Sequence, residues 1–418
     1  MITFFNYLLI FNVFAGGFTL FSSPFEFYLG YIFIIFFLVI YILHYRNISI
    51  NSNFLIILIA LTISSLVNVY LGNDTFFLMT KQVLGISITG FAYYLLIKIN
   101  KYKIGKLFKI YLRIALIVAV IGIFQEFSFL KGFKSGYDYS YIIPKWWFDK
   151  TTSGMLRVNS IFMEPSHFAI SMAPALFVSL SNILRKNPFY LSKKASIVII
   201  ISYILTFSGV AYVAILISLL LIYNVRKFRY LLLAAIIIPI FIYTAYRYVP
   251  GIRPRIDNTI GVVAGSIKAA DSHGSVYALV SNAFVAYKSF IDNPLFGRGL
   301  GSHPISYNEF IRSGVSGGFW QENYPLLNRE VLNREDAGSL FIRLVSETGL
   351  FGIIVVFYFI FKFHLKKSNN RNLQIISNAI FIMFMMQLLK QGHYFYNGLF
   401  FFVWMYYFAY RIYKLNQI

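Results

Sequence analysis

The sequence predicts an all-α integral membrane protein of about twelve transmembrane helices with a large loop subdomain, and three observations predict it. The 418 residues are 58% hydrophobic and only 12% charged, with a mean hydropathy of +0.68, a balance that calls for lipid as solvent. Apolar runs of about 18 residues recur along the chain, enough to cross a roughly 30 Å hydrocarbon core as helices and too long for barrel strands. The formal charge of +22 is gathered into short segments between those runs.

In order, the runs are 4–20, 25–43, 54–71, 76–97, 107–127, 160–183, 195–208, 210–223, 230–249, 337–361, 373–392 and 396–413. The first lacks a basic leader and is followed at once by the second, which reads as a helical hairpin rather than a cleavable signal. The seventh and eighth are short and divided by Ser208-Gly209, so they form either two spans or one kinked or re-entrant element. The chain thus divides into an N-terminal bundle over 1–249 with about nine helices and a loop at 128–159, a loop subdomain over 250–336, and about three helices over 337–418.

Segments 44–53, 98–106, 184–194, 224–229, 362–372 and 411–418 hold 1, 4, 4, 3, 4 and 2 Lys or Arg and not one Asp or Glu. All six fall on one side of the predicted bundle, and the positive-inside rule makes that side cytoplasmic, with both termini there. The basic charge is therefore a topology signal, which removes the nucleic-acid partner that a pI near 9.8 would suggest. Segment 250–336 holds 8 basic and 8 acidic residues and suits a solvent-facing subdomain. Within it Val276, Leu279, Val280, Ala283, Phe284, Tyr287, Phe290 and Ile291 recur at helical spacing and predict an amphipathic helix. Trp146 and Trp147 in the 128–159 loop are interface anchors, and with Trp320 they offer flat faces for stacking on sugars.

Chemistry-bearing residues gather toward the non-cytoplasmic ends of helices. Where a loop enters the sixth run, Arg157 is followed by Glu164-Pro165-Ser166-His167. Pro165 suits a first helical turn, Glu164 then stands at the cap beside the positive end of the dipole, and His167 shares its face. A capped helix with a satisfied histidine is the plainer reading of the same spacing. In the large loop Arg253, Arg255, Arg298 and His303 stand out, Arg298 between glycines that allow close backbone approach; arginine grips phosphate oxygens in pairs. Arg343 and Glu347, four residues apart, can pair on one helix face, and Lys390 ends the eleventh run.

Absences matter as well. The chain has no cysteine, hence no disulfide or thiolate nucleophile. It has no Walker-type loop, Rossmann fingerprint, HExxH motif or Asp-x-Asp pair, so no metal and no cofactor is expected, and a reaction outside the cell must bring its own activated bond.

Four stretches resemble the bacterial O-antigen polymerases of the Wzy type, within the superfamily that also holds O-antigen ligases. Arg157 with Phe162-Met163-Glu164-Pro165 and Phe168-Ala169 resembles an R…F-x-E-P…F-A stretch, and Leu205-Thr206-Phe207-Ser208 with Tyr212 resembles L-T-x-S-R-x-x-Y. Asn293-Pro294-Leu295-Phe296-Gly297-Arg298-Gly299 resembles N-P-x-x-G-x-G, and Leu344 through Gly352 resembles L-x-x-E-x-G-x-x-G. The arginine of the second stretch is missing, since Gly209-Val210 stands there. Gly338-Ser339 replaces the His-Asn of many ligases, which favours polymerase.

The resemblance implies a glycosyltransferase bundle of GT-C type in the bacterial inner membrane, polymerising undecaprenyl-pyrophosphate-linked oligosaccharide repeat units at its periplasmic face. A chain-length regulator is a further partner to expect. The expected catalytic residues are Arg157, Glu164, His167 and Arg298, and the expected substrate-binding ones Arg253, Arg255, His303, Arg343, Glu347 and Lys390. An O-antigen ligase, a lipid-linked oligosaccharide flippase and a secondary transporter are the alternatives.

Overall fold

The computed structural model describes the chain except residues 23–24, 46–49, 152–153, 186–187, 224–239, 241–242, 245, 248–251, 268–270, 314–331, 396–397 and 417–418. In chain order the helices are α1 (Ile2–Phe11), extended by a 3-10 turn Asn12–Phe14, then α2 (Leu29–Tyr45), α3 (Ser52–Tyr70), α4 (Phe76–Ile99) and α5 (Ile104–Leu130). A single turn, α6 (Lys134–Tyr137), precedes α7 (Pro165–Leu184), α8 (Lys193–Ile204) and α9 (Gly209–Ile222). After these come α10 (Ile252–Val263), α11 (Gly274–Asp292), α12 (His303–Ser313), α13 (Leu340–Lys362), α14 (Arg371–Leu389) and α15 (Leu399–Leu415). The chain is mostly helical, and among the described residues six helices, α3, α4, α5, α7, α13 and α14, are long and apolar enough to cross a membrane. The expected run at 230–249 and Trp320 lie mainly or wholly outside the described residues.

Two expected boundaries are corrected near the N-terminus, where a short strand pair interrupts an otherwise helical chain. Helix ends at Phe14, ahead of Gly16-Gly17, and Thr19–Phe21 then pairs antiparallel with Phe27–Tyr28. Consecutive glycines give helix the least support, and Gly17 is pressed so close to the 139–163 loop that a Cβ would meet Ile143 Cγ2 at 2.5 Å. The second helix accordingly starts at Leu29, which leaves Glu26 in a turn.

The core is built around α7. In its apolar stretch 83% of residues are buried, against 17% in α3, which makes α7 central and α3 peripheral. Small residues such as Ala169, Ala173 and Ala175 let α8, α9 and α14 approach it closely. Pro174 deprives the Ile170 carbonyl of its helical donor, and the flanking carbonyls of Ala169 and Ser171 accept hydrogen bonds from the Tyr203 and Tyr111 hydroxyls at 2.9 and 2.7 Å. At the other end of α7, Arg185 donates to the Ile222 carbonyl at 2.7 Å and so satisfies the C-terminus of α9.

Arg185, Lys193, Lys194, Lys362 and Arg371 all stand at one end of the bundle, here the basic end. The opposite end holds the N-terminus of α7, the 205–208 turn between α8 and α9, and the start of α13. α8 and α9 span only about 18 and 21 Å at about 1.5 Å per residue. Their junction is a true turn, with Phe207 at φ +45°, and Leu205 accepts a hydrogen bond from Val158 N–H at 3.0 Å.

The expected amphipathic helix forms as α11, but with its buried face rotated. Val276, Ser281, Asn282, Val285 and Ser289 face inward, while Leu279, Tyr287 and Ile291 are exposed. The cause lies in partners that spacing does not reveal: Asn282 donates to the Leu332 carbonyl and Ser289 meets Ser346 of α13.

Candidate functional site

At the end opposite the basic one, a cavity of about 830 Å³ opens between α2, α4, the N-terminus of α7 and the segments flanking α13 and α15. Part of its lining is apolar, from Phe27, Tyr31, Ile35, Phe77, Leu84 and Phe395, and part is charged, from Lys81, Glu164, His167, Asp336, Arg343 and Lys390, with Glu26 and Glu335 also present.

Each charged group is delivered by a definite element. Glu164, with φ −135° and ψ 153°, is the N-cap of α7 with Pro165 at the first turn, as the sequence suggests. Its side chain caps no backbone amide; it accepts from Ser166 Oγ at 3.0 Å and lies open to the cavity. Burial raises its pKa, but the positive charge of His167 and Lys390 and the Ser166 bond more than offset that, so the carboxyl stays below its ordinary value. Asp336 is likewise held low: burial raises it, while His393, the Gly338 amide and Arg343 lower it further. His393 Nε2 lies 3.6 Å from Asp336. Glu26, in the turn before α2, accepts from Lys145 and from the Tyr28 hydroxyl.

Arg343 is almost fully enclosed. Its Nε donates to Glu347 Oε1 at 2.9 Å, its Nη1 to the Gly392 carbonyl at 3.2 Å, and its Cζ sits 4.6 Å over the Tyr394 ring. Nη2 has no partner among the described residues, as is also true of Gln82 Oε1 and the Gln391 side-chain amide, all on cavity-lining residues. Lys81 and Lys390 make no ion pair or side-chain hydrogen bond among the described residues. Buried donors and acceptors left open together suit a hydroxyl-bearing ligand, with Lys81 and Lys390 placed to meet any anionic group it carries.

Of the expected site residues, Glu164, His167, Arg343 and Lys390 therefore converge on one cavity, and the others stand elsewhere. Arg157 pairs with Asp149 beside Tyr212. Arg255 neighbours it; burial and the charge of Arg157 hold its guanidinium below the ordinary value, against the opposing pull of Asp149 and Glu164. Arg253 is an exposed helix-face pair with Asp257 at 3.5 Å. Arg298 does not reach the cavity: it is buried against Glu309 at 2.7 Å, Asp292 at 3.5 Å and the Asn73 side chain at 3.1 Å, with Phe310 under its guanidinium. Arg298 thus stands apart, held by Asp292 and Glu309, whereas Arg157 and Arg255 lie together, with Arg255 in electrostatic reach of Glu164.

His303 is fully buried, with Nε2 2.9 Å from Asn282 Oδ1 and Nδ1 3.1 Å from Ser346 Oγ. Asn282 Nδ2 donates to the Ala278 and Leu332 carbonyls, so its Oδ1 accepts from the ring, which fixes the Nε2–H form. Burial, helped by Arg343, pushes the His303 pKa down to about 3, so the ring is neutral and structural rather than substrate-binding. Glu347 serves the same frame: its Oε2 accepts from Gly301 N–H at 2.9 Å while Oε1 holds Arg343.

Lys81, Gln82, Lys145, Glu26 and Asp336 were not singled out from sequence. Only Lys81 carried a signal, a lone charge inside an apolar run. Fold and cavity together define a helical protein of membrane-spanning type with an amphipathic, charge-lined cavity at one end. Compared with known proteins, the chain matches no family model and no curated protein.

Proposed function

We propose that the chain is a multi-pass glycosyltransferase of the bacterial inner membrane, polymerising polyprenyl-diphosphate-linked oligosaccharide repeat units into a surface polysaccharide at the periplasmic face. The basic segments then lie in the cytoplasm with both termini, and the cavity opens on the periplasmic side. The observation that carries the reading is a single cavity whose lining joins apolar side chains to Lys81, Arg343 and Lys390 beside Glu164. A lipid-linked sugar diphosphate has the same two-sided chemistry.

In this scheme Glu164 accepts the proton of an acceptor hydroxyl as that oxygen bonds to the anomeric carbon of the donor sugar. The bond from that carbon to the diphosphate oxygen breaks, and the diphosphate leaves on its lipid. Arg343 Nη2, Lys390 and Lys81 meet the negative charge growing on the leaving oxygen, which is the electrostatic part of the catalysis. Gln82 and Gln391 offer their open amide groups to sugar hydroxyls.

The test is transfer by the purified chain, reconstituted with a lipid-linked repeat unit, with polymer length read on a gel. Glu164→Gln is expected to cut the rate by about 10² or more, and Lys390→Gln by about tenfold. Polymer at the wild-type rate from Glu164→Gln at every pH would remove the base, and no transfer by the wild-type chain would remove the reading. A second reading, a lipid-linked oligosaccharide flippase, is favoured by the position of Lys81 inside a candidate span. Translocation in vesicles without any transfer would select it.

A further inference from the structure

The outward face of α5 changes character along its length. Lys103, Lys106, Lys109 and Arg113 follow one another at steps of three or four residues, and all four are exposed. Ile117, Val120, Phe124 and Phe127 continue the same stripe and are 60%, 51%, 50% and 59% exposed. From Arg113 to Lys131, which caps the far end of α5, the helix rises about 27 Å at about 1.5 Å per residue, close to a hydrocarbon core about 30 Å thick. The cations of the stripe therefore stand at headgroup level and its apolar half along the acyl chains. Tyrosines from two other elements meet the basic half. Arg113 Nη1 donates to the Tyr7 hydroxyl of α1 at 3.4 Å, and Lys109 Nζ lies 5.8 Å from the centre of the Tyr190 ring. Tyr190, ahead of α8, has φ +55° and rests on Gly105, where a Cβ would meet its hydroxyl at 2.7 Å. No carboxylate balances these cations: the chain holds no Asp or Glu between Asp74 and Glu126, and no ion pair among the described residues includes them.

We propose that this stripe binds an anionic phospholipid of the leaflet at the basic end, its phosphate held by Lys106, Lys109 and Arg113 and an acyl chain lying along Ile117, Val120 and Phe124. The site stands at the opposite end of the bundle from the cavity and does not rest on the transferase reading. Topology alone does not ask for it. The connecting segment 98–106 already carries four basic residues, whereas Lys109 and Arg113 stand beyond it, inside the helix. Charge selects the occupant: a zwitterionic headgroup offsets its phosphate with its own ammonium, while a net negative one gains from each cation near the surface. A soluble anion gains nothing from the apolar half of the stripe.

The whole chain, purified in a neutral detergent, is to be mixed with equimolar dioleoyl phosphatidylglycerol and dioleoyl phosphatidylcholine, and the bound lipid counted by native mass spectrometry. The two probes share their acyl chains, so the ratio reports the headgroup. The expected ratio is about tenfold in favour of phosphatidylglycerol. Lys106→Gln/Lys109→Gln/Arg113→Gln should bring it near unity. Lys366→Gln/Lys367→Gln/Lys414→Gln, which removes the same charge elsewhere at the basic end, should leave it about tenfold. The double variant Lys106→Gln/Lys109→Gln keeps the Arg113–Tyr7 bond and serves should the triple variant fail to fold; it should lower the ratio about threefold. A wild-type ratio near unity, a ratio that the stripe variants do not move, or an equal loss in the two triple variants would overturn the site. Displacement of the lipid by inorganic phosphate, but not by chloride of equal ionic strength, would also overturn it and assign the cations to a soluble anion.

Discussion

At the scale of the residue, the cavity's chemistry depends on which charges are matched and which are left open. At Glu164 burial is outweighed by His167 when protonated, by Lys390 and by the Ser166 bond, so its pKa is lowered, whereas Asp74 shows the opposite balance. Asp74 lies in the turn between α3 and α4, 5% exposed, with Oδ1 accepting from the Thr75 amide at 2.7 Å and Oδ2 without a partner among the described residues. Burial and the nearby Glu347 push its pKa up to about 8, outweighing the Thr75 bond. A carboxyl raised in the folded state lends stability that is complete below its unfolded pKa, near 3.9, and is lost as pH rises toward about 8. Asp74→Asn keeps the neutral form at every pH. Its melting temperature in detergent should therefore exceed that of the wild type by a margin that widens from pH 5 to pH 8 and then levels off. A margin constant across that range would show that Asp74 is not protonated in the fold.

At the scale of the element, the four stretches that resemble a polymerase pattern prove to be two clasps. The first and second meet where Val158 N–H donates to Leu205. The third and fourth are stitched by four backbone bonds: Arg298 to Ser346, Gly299 to Glu347, Leu350 to Pro294 and Phe351 to Leu295, all between 2.9 and 3.1 Å. That contact needs glycine. Gly297 has φ +65° and a Cβ there would lie 2.4 Å from the Glu347 carbonyl carbon, while Gly349 breaks α13 at φ +56°. Gly297→Ala should cost about 3 kcal/mol or more, since strain and clash against backbone coincide. Gly209→Ala, with nothing within 4 Å at the start of α9, should be neutral or stabilise by up to about 1 kcal/mol. Thermal unfolding of the two variants checks the contrast, and equal effects would deny the clasp its role. The motif residues were legible in sequence, but their use was not: Arg298 and His303 appeared as ligand-binding candidates, although they build the frame that presents Arg343.

At the scale of the whole molecule, the proposed orientation is open to a direct measurement, because the chain contains no cysteine. Single cysteines at Ser266, after α10, and at Asn416, after α15, give two reporters in an otherwise thiol-free background. A membrane-impermeant maleimide added to spheroplasts should label Ser266→Cys and leave Asn416→Cys unlabelled until the membrane is opened. The reverse pattern would place the cavity in the cytoplasm and remove a periplasmic reaction.

The sequence by itself determined that this is a helical, membrane-type protein, placed its long apolar helices, and marked Pro165 as the start of α7 with Glu164 at its cap. Those features are local: hydropathy, run length and capping chemistry act within a few turns of chain. It also put Arg343 and Glu347 on one helix face, four residues apart. Only the tertiary structure decided which charges share a cavity, because Lys81, Glu164, Arg343 and Lys390 are far apart in sequence. Asp149 holds Arg157, and Asp292 with Glu309 holds Arg298, whereas Lys81 and Lys390 are left to face the cavity.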